Sequence, residues 1–488
     1  MNHSLQRINF PMVARVIGWL LLIEAVFMCV PTLTALLCHE AAAMRAVGLP
    51  AALTATVGAV CVKFIRPRRT DMGKREGFLL TALVWVVVSL FGMLPFMLAP
   101  SARLNLSQAF FEAMSGFTTT GSSLVADTDS LSCAVNIWHC LSQWIGGLGI
   151  IIFTLAVIPM FNTSGGMQMF SAEATGITVD KIRPRISSTA KEMWAMYLAL
   201  TLLLFALLWA GPMDGFTAAC HAMATMSTGG FTTANAGVST WATPYVKIVL
   251  TVFMFIGGVN FAIIYRTLHG QFASVASNDS LKTFVRIILF GSIVTALCVI
   301  ASGRVESWQS VTIDPLFQVV SCMTSTGYAL PAFTSWGPAA VGIGFLLMFS
   351  GGCAGSTSGG AKIDRLVYLF KYLSNQMRLT LRPNAVCPVI INNRVVHSTT
   401  VNKVVAFLCI WVIVIVAGSI ILSMLGMPLQ AAFYCSFSAI SNAGFESFAY
   451  EYNNAPDAGL WVLSAIMLIG RLEIFTVLIL FTRTFWHR

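Results

Sequence analysis

Charged side chains are scarce in this sequence. Asp, Glu, Lys and Arg together make up 10% of its 488 residues, whereas hydrophobic residues make up 57%. Charged residues account for about 25% of an ordinary soluble domain, so the composition excludes a soluble enzyme or binding domain. Long apolar stretches recur along the whole chain, for example at 13–31, 51–65 and 404–425. Because a helix needs about 20 apolar residues to cross the hydrocarbon core, the sequence predicts a protein that crosses a lipid bilayer many times.

Patterns typical of metal centres, disulfide frameworks and catalytic sites are also missing. The 12 cysteines have no paired spacing, and most of them lie inside apolar runs. This predicts small buried side chains rather than metal ligands or disulfides. The apolar runs carry no paired acids and no His-Glu-x-x-His pattern, so a membrane-embedded enzyme is disfavoured. We therefore expect no catalytic residues, no cofactor and no enzymatic activity.

The net charge of +10 is concentrated in alternate loops. Clusters of Lys and Arg occupy 66–75, 181–191 and 362–394, whereas the other set of loops carries mainly acidic residues, with Arg45, Arg103 and Arg304 as exceptions. The positive-inside rule places the basic loops and both termini in the cytoplasm and the acidic loops outside. This distribution argues against nucleic acid as a partner. The basic loops either serve as topology signals alone or also dock an acidic partner.

The chain is organised as two spans followed by four repeats. Each repeat has a span, a short apolar segment with a Ser/Thr/Gly-rich tail, and a second span. The short segments, at 107–123, 214–230, 314–328 and 428–445, are too short to cross a bilayer and are flanked by outward-facing loops, so they are predicted to be re-entrant. We expect an all-α polytopic membrane protein with ten transmembrane helices, in which four pseudo-repeats of helix, pore loop and helix surround a central pore. The predicted divisions are 1–70, 71–190, 191–280, 281–400 and 401–488.

A glycine follows small polar residues at the end of every short segment. A dehydrated cation needs several oxygen ligands at once, and backbone carbonyls supply them where an extended loop, made possible by glycine, follows a pore axis. One such cluster alone is more typical of helix packing, but four in a repeated frame favour a selectivity filter. The predicted potassium ligands are Thr119, Thr120, Gly121, Ser227, Thr228, Gly229, Ser325, Thr326, Gly327, Ser441, Asn442, Ala443 and Gly444.

Two further features of the sequence suggest a gate. Five glycines in eleven residues interrupt the second span of the third repeat, and we predict a movable flap there, although a broken helix that only packs is the alternative. Arg471 lies within the last apolar span, where it either pairs with Glu473 or faces the pore and repels a resting cation. The predicted gate residues are Gly351, Gly352, Gly355, Ser356, Gly359, Gly360 and Arg471.

Five acidic residues lie near the short segments. Asp214 and Asp314 stand where the second and third short segments begin, which predicts helix N-caps. Asp127, Asp129 and Glu446 follow two of the predicted filter loops. They either add negative potential at the mouth of the pore or are ordinary solvated loop charges.

The whole chain resembles the Trk/Ktr/HKT superfamily of potassium transporters, and specifically its TrkH type. The resemblance rests on the four filter motifs, on 351–362, which is similar to the family's intramembrane gating loop, and on 470–473, which matches its pore arginine motif. The two extra N-terminal spans fit the TrkH type. Glycine at 121, where sodium-preferring plant relatives carry serine, implies potassium as the substrate.

The resemblance implies gated, channel-like potassium uptake across the bacterial inner membrane. It also implies a homodimer and a cytosolic TrkA-like regulatory subunit that binds NAD(H) or ATP/ADP. The alternatives are a cation-coupled symporter or a sodium/potassium carrier of the same fold, and, more distantly, a carrier of organic solutes.

Overall fold

The protein is described from a computed structural model that covers residues 8–67, 72–125, 127–147, 149, 186–392, 394–445 and 452–486. These residues form helices and one small antiparallel hairpin. The helices are α1 (Phe10–Leu37), α2 (Ala41–Phe64), α3 (Lys74–Gly92), α4 (Leu94–Leu98), α5 (Leu106–Phe117), α6 (Cys133–Gly147), α7 (Ile186–Trp209), α8 (Gly215–Met226), α9 (Pro244–Gly258), α10 (Phe261–Leu268), α11 (Phe272–Ala276), α12 (Asp279–Ala301), α13 (Trp308–Met323), α14 (Pro338–Ser350), α15 (Ile363–Leu381), α16 (Ser398–Met424), α17 (Leu429–Ser441), α18 (Asp457–Arg471), α19 (Glu473–Leu478) and α20 (Arg483–Trp486). The hairpin pairs β1 (Val389–Ile391) with β2 (Arg394–Val396), and short 3-10 helices lie at Gly237–Trp241, Phe333–Trp336, Tyr452–Asn454 and Ile479–Phe481.

Within the described ranges, six helices are long and apolar enough to span a membrane. They are α1, α2, α3 with α4, α7, α12 and α16. The count rises to eight if each of two bent pairs is one span, α9 with α10 (106°) and α18 with its continuation (110°). The apolar helix α14 has only 13 residues and ends where the glycine-rich stretch begins. The second span predicted for the first repeat runs beyond α6 into 150–160, which lies outside the described residues.

Apolar side chains both fill the interior and cover the outer surface. Large residues such as Trp85, Trp138 and Phe284 are fully buried in one continuous cluster. On α12 and α16, by contrast, Phe290 and Ile413 are 70% and 62% exposed. An exposed apolar surface of this kind is unfavourable in water but suits contact with lipid tails. The distribution therefore supports a bilayer as the surrounding medium.

The short segments of the four repeats form the helices α5, α8, α13 and α17, which we call the short helices. These helices and the helices that follow them pack in a closed ring. Helix α6 lies between α5 and α8, α9 between α8 and α13, α14 between α13 and α17, and α18 between α17 and α5. The fourth repeat thus contacts the first, although they lie at opposite ends of the chain. This packing brings the four C-terminal ends of α5, α8, α13 and α17 towards one another.

The short helices begin close to the predicted positions, with one exception. Helix α13 begins at Trp308, six residues before Asp314, because Ser307 and Ser310 form a reciprocal capping box. Pro315 lies inside this helix, although proline is more common in the first turn of a helix.

Candidate functional site

All four short helices end with the same left-handed turn. The backbone N–H groups of four residues each donate to the carbonyl three positions earlier, at 2.9–3.2 Å. The same four residues have φ of +56°, +53°, +54° and +47°. A left-handed conformation costs a non-glycine residue about 1–2 kcal/mol, and such strain is concentrated at functional sites. These residues are Thr119, Thr228, Ser325 and Asn442.

This turn fixes how the four loops correspond. The residue after each left-handed position donates its N–H to the carbonyl five positions earlier, at 2.9–3.2 Å. Counting from this bond, Gly230 corresponds to Gly121 and Gly327, with φ of +80°, +83° and +85°. The Ser/Thr/Gly pattern of the sequence predicts Gly229 as their counterpart, and this equivalence is wrong by one residue. Two adjacent glycines fit the pattern equally well, and only the turn before them sets the register.

The corresponding glycines approach the neighbouring loops in cyclic order. A Cβ atom at Gly121 would overlap the carbonyl oxygen of Gly229 in the second loop. One at Gly230 would overlap Thr326 O in the third loop. One at Gly327 would lie 3.6 Å from Ala443 O in the fourth loop.

The fourth loop completes the cycle, because a Cβ atom at Gly444 would overlap Thr120 O in the first loop. All four glycines also line a single cavity of about 200 Å³. The structure therefore brings three predicted filter glycines, together with Gly230, around one opening.

Side-chain hydroxyl groups hold the first and third loops in the same way. Thr118 and Thr120 share a hydroxyl–hydroxyl bond of 2.8 Å, and Thr324 and Thr326 share another of 2.8 Å. The fourth loop joins the first through Asn442 Nδ2, which donates to Thr120 Oγ1 at 3.0 Å. These bonds satisfy polar groups within a buried, non-helical segment, as membrane depth requires.

The glycine-rich stretch that is predicted to form a gate, named the gating loop (351–362) for that prediction, lies against the left-handed turns. The Thr228 hydroxyl donates to Thr357 Oγ1 at 3.3 Å, and Gly359 N donates to Ser325 Oγ at 2.5 Å. Gly360 N donates to Ser441 O at 2.8 Å. The gating loop thus contacts the second, third and fourth loops, and none of its residues lines the glycine-lined cavity.

Other residues of the gating loop shape it or attach it elsewhere. Gly351, Gly355 and Gly360 have φ of +64°, +77° and +78°, which explains the choice of glycine. Gly355 O accepts from Phe261 N at 3.0 Å, so this predicted gate residue faces the bend between α9 and α10. Nearby, Ser356 Oγ donates to Cys353 O at 2.6 Å, and Gly352 N donates to Ser358 Oγ at 2.9 Å.

Arg471 connects the gating loop to the first filter loop. Its Nη1 donates to Thr119 Oγ1 and to Thr357 O, both at 3.0 Å. Its Nη2 donates to Gly146 O at 2.6 Å and to Gly147 O at 3.0 Å. Backbone carbonyls at the end of α6 therefore hold the guanidinium beside the left-handed turn of the first loop.

Glu473, which the sequence offered as a partner for Arg471, forms an ion pair with Arg365 at 2.6 Å. Glu473 itself has φ of +54° at the sharp bend after α18. The carboxylate thus ties the last repeat to α15, immediately after the gating loop.

The acidic residues near the loops have different roles. Asp214 accepts from the N–H groups of Phe216 (3.0 Å) and Thr217 (3.2 Å), which confirms its predicted capping role. The N-cap prediction for Asp314 is wrong, because this residue lies inside α13 and pairs with Lys247 at 2.6 Å.

Asn235 joins the segments that follow the first and second filter loops. Its side chain donates to Asp127 at 2.7 Å, and its backbone N–H donates to Asp129 at 3.2 Å. The hydrogen bond from Asn235, followed by that from Ser130, lowers the pKa of Asp127. Glu446 lies outside the described residues, as do Lys181, Arg183 and Arg185.

Sequence reasoning missed several polar residues behind the filter loops. Gln143 Oε1 accepts from Phe231 N at 3.1 Å, and Glu112 and Gln318 bind the outgoing ends of the first and third loops. A usable signal was present, because Glu112 and Gln318 each stand nine positions before a filter glycine.

Comparisons with known proteins agree with this architecture. Residues 51–488 match the sequence profile of a family described as "TrkH: Cation transport protein". The chain is 33% identical to the Trk system potassium uptake protein TrkH of Escherichia coli K12 over 485 residues, covering 98% of this chain and 100% of that protein. It is 32% identical to TrkI of Halomonas elongata over 484 residues, with 98% and 97% covered. The crystal structure of the potassium transporter TrkH from Vibrio parahaemolyticus superposes with a TM-score of 0.88 at 29% identity, covering 98% and 100% of the two chains.

Proposed function

This chain belongs to the TrkH family of cation transport proteins, and on that premise we propose that it takes up potassium across the bacterial inner membrane through a gated, channel-like pore. It is a multi-pass membrane transporter and not an enzyme. In the proposed orientation both termini face the cytoplasm and the glycine-lined cavity opens outward. Four helix–pore loop–helix repeats surround the pore.

The cyclic contact of the four glycines is the observation that supports this proposal most directly. Carbonyl oxygens from four chain segments that meet at one opening can replace the hydration shell of an alkali cation. The C-terminal ends of α5, α8, α13 and α17 point towards the same place, and the negative ends of their dipoles favour a cation over an anion. The proposed ligands are the filter residues predicted from the sequence, with Gly230 added.

The gating loop and Arg471 are proposed to close this pore on its inner side. The gating loop contacts three filter loops, and Arg471 contacts the remaining one. Every filter loop is therefore in contact with the proposed gate. In the proposed orientation, a guanidinium on the inner side of the four filter loops also repels a cation that has passed between them. Uptake then requires both the gating loop and Arg471 to withdraw.

The control of this gate is assigned to a second protein. We propose a homodimer that binds a cytosolic TrkA-like subunit, which in turn binds NAD(H) or ATP/ADP. The largely exposed C-terminal end of α15, with Arg378 in the helix and Arg382 immediately after it, offers a basic surface for an acidic partner. Nucleotide-dependent co-purification of such a subunit tests this part separately.

Potassium uptake in a bacterial strain that lacks its own potassium transporters tests the proposal. Expression of this chain with a Trk regulatory subunit should restore growth at low potassium and saturable rubidium-tracer uptake. Uptake that requires a proton or sodium gradient at fixed membrane potential would instead indicate a coupled symporter. Failure to move potassium, with the protein present in the membrane, would refute the function.

A further inference from the structure

A polar or thiol-bearing residue recurs nine positions before the filter glycine of every repeat. Taking Gly121, Gly230, Gly327 and Gly444 as equivalent, this position holds Glu112, His221, Gln318 and Cys435. All four side chains are buried, on the helices behind the loops. The first repeat alone places a carboxylate there. The ring is therefore surrounded by four similar positions that differ in charge.

In the first and third repeats this position fastens the outgoing segment of the loop to its helix. Glu112 Oε2 accepts from Leu124 N at 2.7 Å, and Gln318 Oε1 accepts from Leu330 N at 3.1 Å. Both bonds join residues that are 12 positions apart. The third repeat shows that an uncharged amide can make this attachment, so the carboxylate of Glu112 must be explained by something else.

The Glu112 carboxylate has two further donors. Ser123 Oγ donates to Oε1 at 2.8 Å, and His139 Nε2 lies 2.5 Å from the same oxygen. We take Glu112 as ionised, in which case its oxygens can only accept and Nε2 is assigned as the protonated nitrogen. His139 Nδ1 has no hydrogen-bond partner in the described part of the chain, which suits the bare nitrogen of a neutral imidazole. The pair then carries one net negative charge.

This charge stands close to the cation path. Ser123 and His139 line the same cavity as Gly121. Leu124, bonded to the carboxylate, is three residues beyond Gly121, a distance of at most about 10 Å along an extended chain. A unit charge at that range changes cation occupancy between about twofold and about fifteenfold, depending on whether the effective dielectric is that of water or of a protein boundary.

We propose that Glu112 sets the cation affinity of the pore, as a fixed negative charge behind the first filter loop. It acts through space and through Leu124 rather than as a ligand, so it is a positioning residue. This inference rests on the proposed potassium uptake. Gln318 makes the same attachment without a charge. A comparison of the two residues therefore separates the effect of the charge on cation affinity from the effect of the attachment on loop geometry.

The experiment compares Glu112→Gln with Gln318→Met in the uptake assay. Glu112→Gln keeps the bond to Leu124 but removes the charge, so the KM values for potassium, rubidium and sodium should all rise by a similar factor, about twofold to fifteenfold. Its Vmax and its potassium/sodium ratio should change less than KM does. Gln318→Met releases Leu330 without changing any charge, so it should lower the potassium/sodium ratio more than it changes KM.

Separate outcomes distinguish failure of this inference from failure of the function. Normal wild-type uptake with an unchanged KM in Glu112→Gln would overturn the role of the charge and leave the function intact. Absence of wild-type uptake would overturn both. Should Glu112→Gln fail to reach the membrane, His139→Lys cancels the charge without altering Glu112. It should raise KM by a similar factor, and an unchanged KM there would also overturn the inference.

Discussion

Replacement of Gly230 by alanine should damage ion selection more than the same change at Gly229. Gly230 has φ of +80°, and its new methyl group would overlap Thr326 O, a proposed potassium ligand. Gly229 lacks a positive φ, and the atoms nearest to its methyl group would belong to the Gln143 side-chain amide rather than to the backbone of a neighbouring loop. The register of the second loop therefore decides which glycine matters.

A third glycine separates the conformational cost of the substitution from the effect of the overlap with the neighbouring loop. Gly303 has φ of +69° but nothing within 4 Å of an added Cβ, so Gly303→Ala measures the conformational cost alone, about 1–2 kcal/mol. Gly230→Ala should lose at least this much stability and, in addition, displace the Thr326 carbonyl. Each 1.4 kcal/mol of lost discrimination lowers the potassium/sodium ratio about tenfold, and we expect a reduction of that order.

Reversal potentials in proteoliposomes with opposing potassium and sodium gradients would give this ratio, and thermal unfolding in detergent would give stability. Gly303→Ala should keep the wild-type ratio, and Gly229→Ala should lie between the two. A normal ratio in Gly230→Ala together with a poor one in Gly229→Ala would refute the register and the ring built on it.

Three further changes test the gate and the packing. Arg471→Ala removes hydrogen bonds from a charged donor, each of which contributes about 1.5–3 kcal/mol. Basal rubidium flux without a regulatory subunit should therefore rise about tenfold or more, and Arg471→Lys should give a smaller rise. Unchanged flux in both variants would count against the gate. Thr357→Val loses the bonds to the carbonyls of Met226 (3.2 Å) and Gly257 (3.0 Å) and should raise the same flux about fivefold, whereas a wild-type leak would show that these bonds do not hold the loop. Lys247→Met leaves the largely buried Asp314 without its ion-pair partner and should lower the free energy of unfolding by about 1–3 kcal/mol. Adding Asp314→Asn to this variant should recover part of the loss. Additive losses in the double variant would argue against coupling between the two residues.

The sequence was informative about pattern and much less so about register and partners. Repeated apolar runs and four Ser/Thr/Gly tails predicted the short helices, because both signals are local. The choice between Gly229 and Gly230 depends on a left-handed turn at Thr228, which composition does not reveal. The partner of Glu473 was also beyond reach, since Arg365 lies 108 positions away in the chain and nothing local links the two.

The gating loop shows the same limit. Its five glycines predicted a break in the helix, but the hydroxyl groups that it would meet could not be read from the chain. Thr357 and Ser358 were left out of the predicted gate, although they bond to the second and third loops. Such contacts depend on tertiary packing and therefore appear only in the folded molecule.

Closure of the ring through the fourth loop has a consequence for biosynthesis. Asn442 bonds to Thr120 across 322 positions of sequence, so the earliest filter loop cannot acquire its last neighbour until nearly the whole polypeptide has left the ribosome. Until then its left-handed turn and buried polar groups lack part of their support. Nascent chains that have not yet reached the final repeat should therefore be inserted in the membrane but incompletely folded. They should be open to membrane proteases until the fourth repeat has been synthesised.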